Sequence, residues 1–174
     1  FDLTHFNIAV NVSAHQFDSN LAPYVTNLLD QHQFDPKNLE LEITESAIMR
    51  DIDTALFILE DFRKLGIGIA IDDFGTGYSS LAYLRRLPIT TLKIDASFIR
   101  DIVSDVNAQS IASTIIAMSQ TLNLNTVAEG IETLDHESIL KNLNCHYGQG
   151  YFYANPVPAH EFEQLIVHFN PHAI

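Results

Sequence analysis

Six short apolar runs in this sequence read as β-strands, and the first five end in polar side chains that could do chemistry together. Asn11, Glu42, the adjacent pair Asp72 and Asp73, Lys93 with Asp95, and Glu129 all fall at or just beyond the C-terminal end of such a run. Carboxylate and amide oxygens without His or Cys are the donor set that suits Mg2+ or Mn2+. Neighbouring carboxylates at a strand tip can each hold one ion of a pair about 3.5–4 Å apart, as in two-metal hydrolysis. A lysine on a neighbouring strand also suits enolase-like proton abstraction from a Mg2+-bound carboxylate substrate, and the spacing does not separate the two. Without a cation, a ring of carboxylates repels itself. Two readings of Asp95 stand side by side, an ion pair that orients Lys93 and a catalytic role. The Asp72 strand presents Gly68 and Ala70 on the same face, so the expectation is a cavity beneath that carboxylate, open to a cation and its waters.

The segment Asp73-Phe-Gly-Thr-Gly-Tyr-Ser-Ser80 holds a Gly-x-Gly, but no Lys follows the glycines, so it is no Walker A loop. It reads as a tight strand-to-helix turn capped by Ser79 or Ser80. The eight histidines form no metal pair, because Pro171 breaks the helix between His168 and His172.

The elements that must position these groups alternate. Strands are expected at Ile8–Val12, Leu39–Ile43, Ile67–Ile71, Thr91–Ile94, Asn125–Ala128 and around Tyr151–Tyr153. Helical spacing follows each of them: Leu21 to Leu29, Ile52 to Phe62 stopped at Gly66, Leu81 to Leu87 ended by Pro88, Ile111 to Leu122, Ile139 to Leu143 after a Thr133 cap, and Phe162 to Phe169 as a core-packing stripe. Six consecutive βα units imply a parallel sheet covered by helices. A doubly wound sheet needs two apolar strand faces. Here Leu39, Leu41 and Ile43 oppose Glu40 and Glu42, and Leu92 and Ile94 oppose Thr91, Lys93 and Asp95. One apolar and one polar face is the pattern of a (β/α)8 barrel, whose active sites lie at the C-terminal strand ends. Six units leave such an α/β barrel two short, so the chain reads as one incomplete barrel domain over residues 1–174, either part of a larger barrel or dependent on a partner to close.

With 174 residues, 47% apolar and 18% charged, the chain is an ordinary globular domain. Nine Lys and Arg against 22 Asp and Glu leave a net charge of −13, which argues against binding a DNA or RNA polymer. A small phosphorylated ligand remains compatible if metal ions bring positive charge. The single cysteine, Cys145, and the lack of a signal-like or membrane-spanning run fit a soluble cytoplasmic domain with no membrane contact.

Taken together, Asn11-Val-Ser13, Glu40-Leu-Glu-Ile-Thr-Glu-Ser46, Asp72-Asp-Phe-Gly-Thr-Gly-Tyr-Ser-Ser-Leu81, Leu92-Lys-Ile-Asp95, Ala128-Glu-Gly-Ile-Glu-Thr133 and Gln149-Gly-Tyr151 resemble the EAL family of cyclic di-GMP phosphodiesterases over nearly the whole chain. The resemblance implies a (β/α)8 barrel that hydrolyses cyclic di-GMP to linear pGpG with Mg2+ or Mn2+ in bacterial second-messenger signalling. It implies metal ligands at Asn11, Glu42, Asp72, Asp73 and Glu129, and a Lys93 that contacts the attacking water or the phosphate. Gln149, Tyr151 and Pro156 match the guanine pocket. The resemblance further implies that Glu45 anchors the glycine loop Phe74, Gly75, Thr76 and Gly77, which in this family is linked to homodimerisation. Flanking sensor or diguanylate-cyclase domains are also in keeping with it. Two departures stand out. The Glu-x-Leu strand is absent, and with it a metal-ligating Glu, so weak or no turnover is expected of the chain as given. Ala154-Asn155-Pro156 replaces the usual Ser-Lys-Pro. The alternative is a degenerate module that acts as a cyclic di-GMP receptor or protein-interaction domain.

Overall fold

The computed structural model describes residues 6–75 and 81–168. Six strands, β1 (Ile8–Val12), β2 (Leu39–Thr44), β3 (Gly68–Phe74), β4 (Thr91–Ile94), β5 (Asn125–Ala128) and β6 (Tyr147–Gly148), form one sheet in sequence order. Every neighbouring pair is parallel. The order runs one way without a switch point, as in a barrel wall, whereas doubly wound sheets reverse direction. The result is an incomplete TIM-type barrel.

Helices α1 (Leu21–His32), α2 (Glu45–Met49), α3 (Ile52–Leu65), α4 (Leu81–Leu84), α5 (Ala96–Ile99), α6 (Val106–Thr121), α7 (Leu134–Asn142) and α8 (Ala159–His168) connect and cover the strands. Their starts follow local chemistry: Asp51 accepts from Thr54 N, Asp105 from Asn107 N, and Thr133 from His136 N, as its sequence position predicts. The outward strand face of Leu41, Ile43, Ile69, Ile71, Leu92 and Ile94 packs under Ile58, Leu59, Phe62 and Ile116, all 2% exposed or less. That burial is the main stabilising term, and the opposite face is left to carry function.

Several expectations need correction. The sixth strand is not at Tyr151–Tyr153 but at Tyr147–Gly148; residues 151–153 form a turn in which Tyr153 N donates to Gly150 O at 3.1 Å. Close approach to Ile131 sets this geometry, because a Cβ at Gly150 would collide with the Ile131 backbone. Gly150→Ala is therefore expected to cost about 3 kcal/mol, read from denaturant unfolding, since backbone cannot step aside as a side chain can. Helices α2 and α5 are too short to leave a period in the sequence.

The apolar stripe of α8 is not the expected core: Phe162 and Leu165 are 42% and 47% exposed, and the Phe162 ring meets Phe6 at 5.9 Å. On β1 itself, Ile8 and Val10 are also exposed and line an apolar groove with Tyr24, Leu28 and Phe34. The β1 strand is the edge of the sheet, so its outer apolar face is covered by no neighbouring strand among the described residues.

Candidate functional site

Small residues make the inner face of β3 hollow. Gly68 lies against Glu40, whose Oε2 accepts from Thr91 Oγ1 at 2.6 Å, and Ala70 is fully buried between Glu42 on one neighbour and Thr91 on the other. Into this space Lys93 rises from β4, 2% exposed, and its Nζ lies 2.7 Å from Glu42 Oε2, 3.0 Å from Asp72 Oδ1 and 2.7 Å from Glu129 Oε1. The cavity expected beneath Asp72 is therefore filled by the lysine. Burial opposes the Lys93 charge, but hydrogen bonds to Glu129, Glu42 and Asp72 outweigh it and push its pKa above the ordinary lysine range.

Adjacent strand residues normally point to opposite faces. Asp72 and Asp73 escape that rule through a bulge: Ile71 pairs with Leu92 and Phe74 with Ile94, so β3 carries one residue more than β4 across that stretch. Asp73 absorbs it at φ +54°, a left-handed conformation that Asp tolerates better than most residues. Oxygens of Asp72, Asp73 and Glu129 thereby come within 4.8 Å of one another. The crowding is visible in their ionisation. Burial first, then the charges of Asp72 and Asp95, raises the Asp73 pKa; burial, with Asp72 and Glu42 adding, raises that of Glu129. Lys93 neutralises this ring incompletely. An oxygen-only cluster with residual negative charge fits a hard divalent cation.

The structure brings Glu42, Asp72, Asp73, Lys93 and Glu129 to one cup, with Asn11 exposed at the tip of β1 in register with Glu42. Asp95 does not pair with Lys93. It caps α5 by accepting from Ser97 N at 2.9 Å and shares a hydrogen bond with Asp73, and the Ser97 bonds lead in lowering its pKa. Gln149 is fixed through its backbone, N to Ala128 O at 2.8 Å and O from Ile131 N at 3.0 Å, while its side chain, Tyr151 and Pro156 are exposed on the segment after β6. Glu45 is 8% exposed, and neither of its carboxylate oxygens has a hydrogen-bond partner among the described residues. Phe74 and Gly75 lead from β3 toward the loop; Thr76 and Gly77 lie outside the described residues.

Sequence reasoning missed Gly130. It sits at φ +72° directly after Glu129, and a Cβ there would come within 2.7 Å of Ala96 Cβ. The Glu-Gly pair at a strand end is the signal that could have found it, because glycine alone turns the chain there without strain. Gly130→Ala is expected to destabilise the fold by about 1–2 kcal/mol and to displace Glu129, which weaker metal binding in calorimetry would report.

The model of the EAL domain family matches residues 2–156. The bifunctional diguanylate cyclase/cyclic di-GMP phosphodiesterase MucR of Pseudomonas aeruginosa is 49% identical over 162 residues, covering 92% of this chain and 23% of that protein. The chain thus spans under a quarter of that relative. The solved MucR phosphodiesterase, a complex with c-di-GMP, superposes with a TM-score of 0.86 at 48% identity, over 90% of this chain and 64% of that one. A manganese and cyclic di-GMP complex of BlrP1 from Klebsiella pneumoniae superposes at 0.81 with 28% identity, over 88% of this chain and 40% of that one. With its parallel strands in barrel order, its strand-tip carboxylates around a lysine and this match along nearly its whole length, the chain belongs to the EAL domain family.

Proposed function

We propose that this chain is the greater part of a metal-dependent phosphodiesterase domain that opens cyclic di-GMP to linear pGpG. The observation that carries this reading is the cup itself: oxygen donors from successive strand tips, in excess of the one ammonium among them. Asn11, Glu42, Asp72, Asp73 and Glu129 are the residues to hold Mg2+ or Mn2+. When bound, such ions supply Lewis acidity and a water nucleophile at neutral pH. Lys93 places positive charge beside the phosphoryl oxygens as negative charge develops there. Glu129, whose pKa burial raises, accepts a proton from the attacking water. Asp95 serves by holding α5 and Asp73 in place. Gln149, Tyr151 and Pro156 form one wall for a guanine base, and Glu45 anchors the loop of Phe74, Gly75, Thr76 and Gly77 at a homodimer contact. Sensor or diguanylate-cyclase domains flank the domain, in keeping with MucR's bifunctional name. The unpaired Cys145 is in keeping with a cytoplasmic setting, and no described helix is long and apolar enough to cross a membrane.

The test joins a Glu-x-Leu segment ahead of residue 1, adds Mg2+ or Mn2+ and cyclic di-GMP, and follows pGpG by chromatography. Product that disappears with a chelator is the expected result. Tight binding in calorimetry without product would instead make the protein a receptor, and a folded domain that does neither would reject the reading.

A further inference from the structure

Lys93 and a metal ion claim the same oxygens. Of the three carboxylates that converge within 4.8 Å, Asp72 and Glu129 are already bonded to the Lys93 ammonium, at 3.0 and 2.7 Å. The third lysine partner, Glu42 at 2.7 Å, lies outside that convergent set. The lysine has little freedom to leave: it is 2% exposed and rooted in a strand whose residues are all buried. An ammonium ion carries three donors, and here each has a carboxylate.

We propose that Lys93 is a tethered cation that holds the carboxylate cup together in the metal-free protein and competes with divalent metal for Asp72 and Glu129. Loading then requires the ammonium to give up Asp72 and Glu129 while Glu42 Oε2 retains it, which leaves the other Glu42 oxygen for an ion. The lysine sets a threshold: the cup stays folded without metal and fills when the ion outcompetes a charge already in place. This rests on the metal-binding reading above and adds to it a role for Lys93 that precedes substrate.

The experiment titrates Mn2+ by calorimetry into this chain as wild type, Lys93→Met and Lys93→Arg, with Lys64→Met as a control for net charge. Lys64 is a surface residue paired with Asp61. Lys93→Met is expected to bind Mn2+ at least tenfold more tightly than wild type and to gain more in Tm on loading, with Lys64→Met unchanged and Lys93→Arg at or below wild-type affinity. Wild-type or weaker affinity in a folded Lys93→Met, or an equal gain in Lys64→Met, overturns the proposal while leaving the metal site standing. If wild type and folded Lys93→Met both bind no Mn2+, the metal reading of this chain fails and the proposal with it. Should Lys93→Met not fold, the wild type decides: the 15N resonance of the Lys93 ammonium is expected to shift in step with Mg2+ saturation, and an unmoved resonance overturns the proposal.

Discussion

Asp72→Asn in a domain completed with the Glu-x-Leu strand is expected to lower kcat by at least about a thousandfold while leaving the metal-free fold intact. The loss follows from removing one anionic donor from the proposed metal site, whose ions would contribute several kcal/mol to stabilising the transition state. The intact fold follows from geometry. Asp72 Oδ1 lies 3.0 Å from Lys93 Nζ and accepts from Asp73 N at 3.1 Å, and an amide oxygen can keep both contacts as a neutral acceptor. Lys93 retains Glu42 and Glu129, so no charge is left buried alone, and the change in stability stays within about 1 kcal/mol. For a chain of this length that is a Tm shift of about 2–4 °C. Steady-state kinetics and a thermal melt of the metal-free variant check both halves. A melt lowered by far more, with hydrolysis largely kept, would make Asp72 structural.

The second large effect is on stability. Removing the ammonium with Lys93→Met leaves Glu42, Asp72 and Glu129 facing one another in a largely buried cup, and breaking a buried ion pair from one side costs about 3–5 kcal/mol. The metal-free variant should therefore melt on the order of 10 °C below wild type. Mn2+ should restore much of the loss, because a cation returns to the carboxylates. A melt indistinguishable from wild type without metal would show that the three ion pairs add nothing net to the fold. The contrast with Asp72→Asn is informative: one substitution removes a redundant anion, the other the shared cation.

Much of this was legible in the sequence because strand periodicity reports faces directly. Leu39, Leu41 and Ile43 against Glu40 and Glu42 already separate a barrel wall from a doubly wound sheet. The strand tips place Asn11, Glu42, Asp72, Lys93 and Glu129 on one rim for the same reason. What stayed hidden depends on backbone detail or on contacts across strands. The Asp72–Asp73 bulge needs a positive φ at an aspartate, which no periodicity encodes. Lys93's choice of Glu42, Asp72 and Glu129 over its sequence neighbour Asp95 depends on curvature that brings β2 and the end of β5 to one point. Asp95 lies after the strand, where its carboxylate meets the free N–H groups of α5. Tyr147–Gly148 is too short to carry a pattern, and the aromatic run after it looks more strand-like than it is. The apolar stripes of β1 and α8 were readable as stripes, but what covers a stripe belongs to tertiary structure.

The most direct test of the proposed metal site in the cup is anomalous diffraction at the manganese edge from crystals of the completed domain with Mn2+ and cyclic di-GMP. The expected map places manganese on the carboxylates of Asp72, Asp73 and Glu129, with a phosphate of the nucleotide facing Lys93. Manganese bound elsewhere, or a nucleotide seated away from these strand tips while the cup carboxylates stay without metal, would contradict it.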